Sequence, residues 1–330
     1  MTYQKLKSNF LFAFYFVVLI FAFCFLNFKV SAQELSLGIS PPLLEIVIKP
    51  NKSIMVAYKI DNYADPVIAR AKILPFEPLG NQGNIKIAKD FSGPVRFSLD
   101  NSDLDLEKPF FMKTRESKQL LLRMRLPEGT PDGDYYYTLL IETEPPPTVD
   151  GSTGGRAKGT IGANILITVT GSGMTEISGK IVLFDVISKF KPFGWKIFDS
   201  NAKIPVVLNV QNNGKNMIKA EGEIVLNGNF GEKATYQIPA QNILAQSQRL
   251  VFATPSAEIN QPTSLVLSGF FLGKYKLAAS LNIGESLTPL TASTSFVALP
   301  FRWIIGLIFA LIISLILIKR LSRNEDEDEA

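Results

Sequence analysis

The sequence predicts an all-β chain of two tandem immunoglobulin-like β-sandwich domains followed by one C-terminal transmembrane helix. Short runs of alternating apolar and polar residues are separated by clusters of Pro, Gly, Asn and Asp, which is typical of antiparallel sheets. This pattern occurs on both sides of the glycine-containing linker 171–173, and each end of the chain carries a long apolar segment. We therefore expect a signal peptide over 1–32, sandwiches over 33–173 and 174–298, a transmembrane helix over 299–319 and a charged tail over 320–330.

The amino-terminal segment has the three parts of a secretory signal. Lys5 and Lys7 precede an apolar run over 10–26, and a triplet of small residues ends at Ala32. This order predicts export with cleavage after Ala32. Because the run is longer than a usual signal core, an uncleaved anchor is the alternative. Both interpretations place the rest of the chain outside the cytoplasm.

The carboxyl-terminal segment contains sixteen uncharged residues from Trp303 to Ile318. Trp303 is expected in the interfacial belt of a membrane, and the basic flank of Lys319 and Arg320 favours the cytoplasmic side. These three residues are the predicted membrane anchor in the lipid bilayer. The expected location is the cytoplasmic membrane, crossed once, with an extracellular ectodomain and a cytoplasmic C-terminus. The acidic residues 325–329 are expected to form a solvated tail.

Composition excludes several classes of function. The chain has 34 basic and 30 acidic residues, so it lacks the strong basic excess of a protein that binds nucleic acid, and we expect no nucleic-acid partner. It contains no histidine, which removes histidine-based catalytic triads and the commonest general base near neutral pH. The single cysteine, Cys24, lies in the apolar export segment, so the exported part forms no disulfide. We expect no enzyme activity and no cofactor.

The strand pattern can be followed along both halves of the chain. Alternation is clearest in 118–126, where the apolar residues Leu120, Leu122 and Met124 are separated by residues of which most are polar or charged. In the first half the predicted strands cover 44–49, 53–60, 67–74, 118–126 and 163–170. In the second half they cover 177–187, 204–210, 220–226, 234–238, 249–254, 264–269 and 275–283.

Two pairs of landmarks suggest that the halves share one plan. Asn62 and Asn212 each follow a strand and precede a polar turn, and a Gly-x-Tyr triplet opens a later strand in each half. In immunoglobulin-like sandwiches, a tyrosine near the start of the penultimate strand returns its hydroxyl to upstream backbone. Tyr135 and Tyr275 are the predicted tyrosine corners. Tyr136 points to the opposite face and is a candidate for an exposed binding platform.

The stretch 189–198 is the main candidate binding surface, because Phe193, Trp195 and Phe198 alternate there with lysines. Exposed aromatic side chains of this kind would stack on sugar rings or anchor a protein partner. The alternative interpretation is a buried corner of the second sandwich. The Pro- and Gly-rich loop 145–160 is interpreted as a spacer rather than a binding loop, and the acidic stretch 100–107 as a solvated loop rather than a Ca²⁺ site.

The stretches LGISPPLLEIVIKPNKSIMVAYKIDN, LPEGTPDGDYYYTLLIE and IGANILITVTGSG resemble the amino-terminal domain of bacterial WxL-interacting surface proteins, which is distantly similar to the pilus-chaperone sandwich. The resemblance covers roughly 36–173, and the layout of the remaining chain is similar, although the acidic tail departs from the more basic tail of that family. It implies a cell-envelope protein that binds another surface protein, peptidoglycan or another glycan. The alternatives are a carbohydrate-binding module that uses Phe193 and Trp195, and a chaperone that donates the strand 161–169.

Overall fold

The computed structural model describes residues 35–144, 158–255, 262–284 and 288–328, with side chains up to residue 317. The predicted signal peptide and residues 145–157 of the long loop lie outside the described residues. The described residues form nineteen β-strands and one α-helix, which confirms the all-β class. The domain boundaries at 33, 173 and 298 stay predictions.

The first ten strands form two sheets that face each other, and we call them the first sandwich. One sheet has the order β1-β3-β8-β6, and the other has the order β2-β10-β9-β4-β5, with β7 also paired to β4. The strands are β1 (Leu37–Ser40), β2 (Leu43–Ile48), β3 (Ser53–Asn62), β4 (Val67–Leu79), β5 (Asn84–Ile87), β6 (Arg96–Leu99), β7 (Pro109–Met112), β8 (Ser117–Arg125), β9 (Gly133–Glu144) and β10 (Thr160–Val169).

The opening segment of the first sandwich changes sheets. β1 pairs antiparallel with β3, and after a turn at Pro41 and Pro42 the chain continues as β2, which pairs parallel with β10. Proline supplies no backbone donor, so a prolyl turn is a natural place for a strand to leave one ladder and join another. One segment of chain therefore belongs to both sheets.

The last nine strands form the second sandwich in the same manner. One sheet has the order β11-β13-β16, with β17 also paired to β13, and the other has the order β12-β19-β18-β14-β15. The strands are β11 (Gly179–Val186), β12 (Ile197–Asp199), β13 (Ile204–Asn212), β14 (Ile218–Gly228), β15 (Lys233–Ile243), β16 (Gln248–Leu250), β17 (Leu265–Leu267), β18 (Gly273–Asn282) and β19 (Leu290–Leu299). The pairing in both sandwiches is consistent with immunoglobulin-like domains.

Each sandwich has its own hydrophobic core, and strand alternation builds both. In β8, Leu120, Leu122 and Met124 are fully buried while Arg123 and Arg125 face solvent, as the sequence predicts. In the second sandwich, alternate residues of β18 are buried in the same way. The first cluster of buried side chains lies within 48–169 and the second within 186–298.

Asn62 and Asn212 occupy equivalent positions at the ends of β3 and β13. The side-chain amide group of Asn62 donates one hydrogen bond to the backbone carbonyl of Asp65, three residues later in the chain, and another, at 2.9 Å, to a backbone carbonyl of a distant loop. The side-chain oxygen of Asn62 accepts a hydrogen bond from the backbone N–H two residues later. Asn212 makes the same three kinds of bond, with donor distances of 2.8 Å and 3.0 Å to nearby and distant carbonyls. This shared bonding supports one plan for both sandwiches.

The carboxyl-terminal helix α1 (Phe301–Asp328) corrects the membrane prediction. Among the described residues, none of the helices combines the length and apolar character needed to cross a membrane. The uncharged run ends at Ile318, and at about 1.5 Å per residue it spans roughly 24 Å, short of a hydrocarbon core of about 30 Å. The expected single-pass location, with Trp303, Lys319 and Arg320 as anchors, is therefore wrong. Trp303 is exposed, and the other two side chains lie outside the described residues.

Two buried tyrosines of the first core give a matched test of its packing. Tyr58 is 0% exposed, and its hydroxyl has no partner among the described residues, whereas the hydroxyl of the 1% exposed Tyr137 accepts a hydrogen bond from the Val95 backbone. An unpaired buried hydroxyl costs desolvation energy, so we expect Tyr58→Phe to leave the free energy of unfolding unchanged or to raise it by up to about 1 kcal/mol. Tyr137→Phe should lower it by about 1 kcal/mol. Urea denaturation of both variants checks this, and equal losses would contradict it.

Candidate functional site

Three exposed aromatic side chains of the second sandwich lie on one turn, residues 189–195, which we call the aromatic turn. Phe190 is 58% exposed, Trp195 is 61% exposed and Phe193 is 101% exposed. Lys189 and Lys191 are also exposed and form no ion pair among the described residues. The turn therefore presents three large apolar surfaces and two positive charges to solvent.

Backbone hydrogen bonds hold the aromatic turn in place, although its aromatic side chains are exposed to solvent. Residues Pro192–Gly194 form a 3-10 turn in which Phe193 has a φ of 51°, a left-handed conformation that is rare for a bulky residue. The Trp195 N–H donates to the Pro192 carbonyl at 3.0 Å, and the Ile197 N–H donates to the Phe190 carbonyl at 3.2 Å. Unusual backbone conformations persist only where surrounding bonds hold them.

A polar cluster ties the aromatic turn to the sandwich beneath it. The Lys196 ammonium pairs with Asp185 and donates to Thr294 Oγ1 at 2.9 Å, and Thr294 donates to the same carboxylate at 2.8 Å. Burial raises the pKa of Asp185, but the hydrogen bonds from Lys196 and Thr294 outweigh it and hold the pKa below its usual value. The cluster links β11, β12 and β19 at the base of the turn.

Phe198 does not join the surface predicted for it. It is 9% exposed and packs edge-to-face on Phe296, with ring centroids 5.8 Å apart. The reason is strand alternation: β12 begins at Ile197, and its second residue points into the second core. Of the aromatic residues in 189–198, only Phe190, Phe193 and Trp195 are exposed.

Tyr136 likewise does not form an open platform. Its ring stacks on Phe76 at 5.8 Å, and its hydroxyl accepts the Ala245 N–H of the second sandwich at 2.8 Å while donating to Asp134 at 2.8 Å. Burial and the Asp134 charge raise the pKa of Tyr136 far above its usual value. The Tyr136 side chain therefore lies at the contact between the two sandwiches rather than on an open face.

Asp134 is the centre of the contact between the two sandwiches. Within the first sandwich its carboxylate accepts hydrogen bonds from Tyr136 and from Thr168 Oγ1, both at 2.8 Å. Across the interface it accepts one from Asn216 Nδ2 at 2.9 Å and another from the Met217 backbone N–H. All four groups act as donors, which suits an ionised carboxylate.

Glu45 on β2 makes a second polar contact across the same interface. Its carboxylate pairs with Lys219 at 2.7 Å and accepts a hydrogen bond from the Asn242 side chain. Burial raises the pKa of Glu45, but the hydrogen bonds from Lys219 and Asn242 and the charge of Lys219 together lower it below its usual value. A backbone bond from the Leu250 N–H to the Asn81 carbonyl, at 2.6 Å, adds a third link.

The two candidate tyrosine corners have different bonding partners. Tyr135 donates to the Pro131 carbonyl, four residues upstream, at 3.0 Å. Tyr275 is 2% exposed, accepts the Leu272 N–H at 3.2 Å and donates to the Glu232 carboxylate at 3.2 Å. Both hydroxyls bond near the start of their own strand, so the corner role remains a prediction with supporting geometry.

The acidic stretch 100–107 is engaged in local ion pairs. Asp100 pairs with Arg123, and Asp105 pairs with Lys108 at 2.6 Å. Among the described residues, no group of three or more Asp, Glu or Cys side chains could hold a metal ion.

No family model matches the sequence, and no curated protein matches it. Solved structures with some likeness include the class 5 fimbriae chaperone CfaA, with a TM-score of 0.37 and 12% identity over 80% of this chain and 100% of that chain. The E. coli chaperone DraB has a TM-score of 0.36 and 13% identity over 79% of this chain and 98% of that chain. A PapD-like domain of human CEP192 has a TM-score of 0.27 and 14% identity over 41% of this chain and 84% of that chain. TM-scores below 0.5 do not establish a shared fold, and none of these proteins is a WxL-interacting protein, so that resemblance stays a prediction.

Asp134 gives a test of the contact between the sandwiches. Replacing Asp134 with Asn would turn an amide N–H₂ toward groups that are themselves donors. We therefore expect Asp134→Asn to lower the free energy of unfolding by about 1–3 kcal/mol. Urea denaturation measures this loss, and Asp103→Asn, at an exposed loop position, is the control. An unchanged midpoint for Asp134→Asn would contradict the assigned role.

Glu45 should make the stability depend on pH. Because its folded pKa lies below the ordinary value of 4.5, the carboxylate stabilises the fold above that pH, and this contribution is lost as the pH falls below it. We expect Glu45→Gln to reduce stability by roughly 1 kcal/mol at neutral pH and by less near pH 3. Thermal midpoints of both proteins across this range provide the measurement, and a constant difference would contradict the prediction.

Proposed function

We propose that this chain is a non-enzymatic binding protein, in which two tandem β-sandwiches present the aromatic turn to a protein partner. The observation that carries this proposal is the full exposure of Phe193 on a backbone that is hydrogen-bonded in an uncommon conformation. Burying one Phe side chain in a partner would contribute about 1.5–3 kcal/mol to the free energy of binding. Because the turn is already held by hydrogen bonds, little conformational entropy would be lost in ordering it.

The chemistry of the turn favours a protein partner with an apolar pocket and acidic surroundings. Phe190, Phe193 and Trp195 would supply the apolar contact, since aromatic side chains dominate the energy of many protein interfaces. Lys189 and Lys191 would face acidic groups on the partner and speed association. A glycan that stacks on Trp195 is the competing occupant and is distinguished in the experiment below.

The contact between the sandwiches supports this function by holding the turn in a constant relation to the first sandwich. Asp134, Tyr136 and Glu45 each bond across the interface. Binding surfaces supported by rigid elements lose less entropy on association than mobile ones.

A second candidate function, chaperone-like strand addition, is favoured by a different feature. The predicted donor strand 161–169 lies in β10, which is already paired with β9 on one side and with β2 over 164–169 on the other. Among the described residues, β2 itself pairs only with β10, and its Leu43 and Val47 are exposed. An extended segment of another protein would therefore add to the β2 edge rather than to β10.

Photocrosslinking in intact cells tests the main proposal. A photoreactive amino acid placed at Trp195 should capture one protein, identified by mass spectrometry, and Phe193→Ser in the same chain should abolish the capture without changing the thermal midpoint. A photoreactive group at Val47 reports on strand addition in parallel.

Phe111→Ser is the matched control, because Phe111 is 54% exposed on β7 of the first sandwich. It should leave capture at Trp195 unchanged. Capture of a glycan would replace the protein partner with a carbohydrate. If nothing is captured at Trp195, or if Phe193→Ser captures as well as the wild type, the aromatic turn is not the binding surface.

A further inference from the structure

A cavity of about 210 Å³ lies between the two sandwiches, away from the aromatic turn. Its walls combine apolar and polar side chains from both sandwiches. The principal lining residues are Leu43, Phe76, Leu166, Asn242, Ser247 and Arg249. The cavity is smaller than the roughly 300–1,000 Å³ of drug-sized pockets, so it suits a small group.

Arg249 brings an incompletely bonded positive charge to this cavity. Its Nη1 donates to the Asn242 carbonyl at 2.5 Å, but its buried Nε has no hydrogen-bond partner among the described residues. The described residues also provide no acceptor for Nη2 and no carboxylate in ion-pair contact. Burial lowers the pKa of Arg249, yet a guanidinium stays charged in proteins.

Gly83 and Glu45 define the surroundings of this guanidinium. A Cβ at Gly83 would lie 2.9 Å from both Cζ and Nη2, so the glycine permits the side chain to lie close against the β4–β5 hairpin. Glu45 also approaches Asn242, but its carboxylate is already paired with Lys219. The described part of the chain therefore provides no carboxylate that pairs with Arg249.

We infer that Arg249 forms, in the cavity between the sandwiches, a binding site for the carboxylate of a short aliphatic group. Nη2 carries N–H groups of Arg249 that lack an acceptor among the described residues, and a carboxylate oxygen is a strong acceptor for them. The apolar walls at Leu43, Phe76 and Leu166 fit a chain of a few carbons. The carboxylate comes either from a free organic acid or from an acidic side chain of a protein partner, and this site shares no residue with the aromatic turn.

Isothermal titration of the full chain at fixed ionic strength tests the inference. The probes are propionate and propionamide, together with an end-blocked peptide, acetyl-Gly-Gly-Glu-Gly-Gly-amide, and the same peptide with Gln in place of Glu. We expect a carboxylate probe to bind saturably and its amide counterpart to bind at least about tenfold more weakly. The Arg249→Gln variant should bind the carboxylate probe at least about tenfold more weakly than the wild type does. Binding of propionate identifies a free acid as ligand, and binding of the Glu peptide alone identifies an acidic side chain.

Arg125→Gln is the control, since it removes an equal charge from an exposed position on β8. It should bind like the wild type, which separates the site from the overall charge of the protein. Arg249→Gln should stay folded, because the substitution removes one hydrogen bond, from Nη1 to the Asn242 carbonyl, and no ion pair of the described residues. If that variant nevertheless unfolds, the comparison of acid and amide probes on the wild type decides. Equal binding of acid and amide, equal binding to Arg249→Gln, or no binding of either acid overturns the inference.

Discussion

The Asp134 carboxylate accepts hydrogen bonds from both sandwiches, and the arrangement of the functional surfaces depends on this one group. Because its four donors come from β9, β10 and the segment 216–217, the carboxylate fixes a strand end of one sandwich to a turn of the other. Tyr136 and Glu45 extend the contact along the same face. The cavity at Arg249 exists only because the two sandwiches meet there, so its shape follows from the same bonds.

The alternation of apolar and polar residues predicted most of the strands, because a strand that buries one face carries apolar side chains at every second position. β8 and β18 show that period clearly, and both were predicted. β19 was missed, because its run of Thr, Ser and Ala lacks the large apolar residues that mark a strand, although Phe296 and Ala298 are buried. β12 has only three residues, too few to show any period. The membrane prediction failed because the predicted span 299–319 reached beyond the sixteen uncharged residues and included Arg302 and Lys319.

The candidate site was only half predictable. The composition of 189–198 singled out an unusual aromatic stretch, but the strand phase that buries Phe198 and exposes Trp195 depends on where β12 begins. The role of Tyr136 depends on a neighbour that is more than one hundred residues away along the chain. Arg249 carried no local signal at all, since an arginine in a short strand normally faces solvent. Contacts of this range are decided by tertiary packing, which no short sequence window contains.

The change of sheets by the segment Leu37–Ile48 has a consequence for how the first sandwich avoids self-association. β1 covers one side of β3, and β2 covers one side of β10, so a single stretch of chain protects a sheet edge in each layer. Unpaired edges are templates on which other copies of a chain can add strands. A proteolytic cut between Ile48 and Ser53 would free this stretch and uncover both edges together. The fold thus concentrates its protection against aggregation in the twelve residues from Leu37 to Ile48.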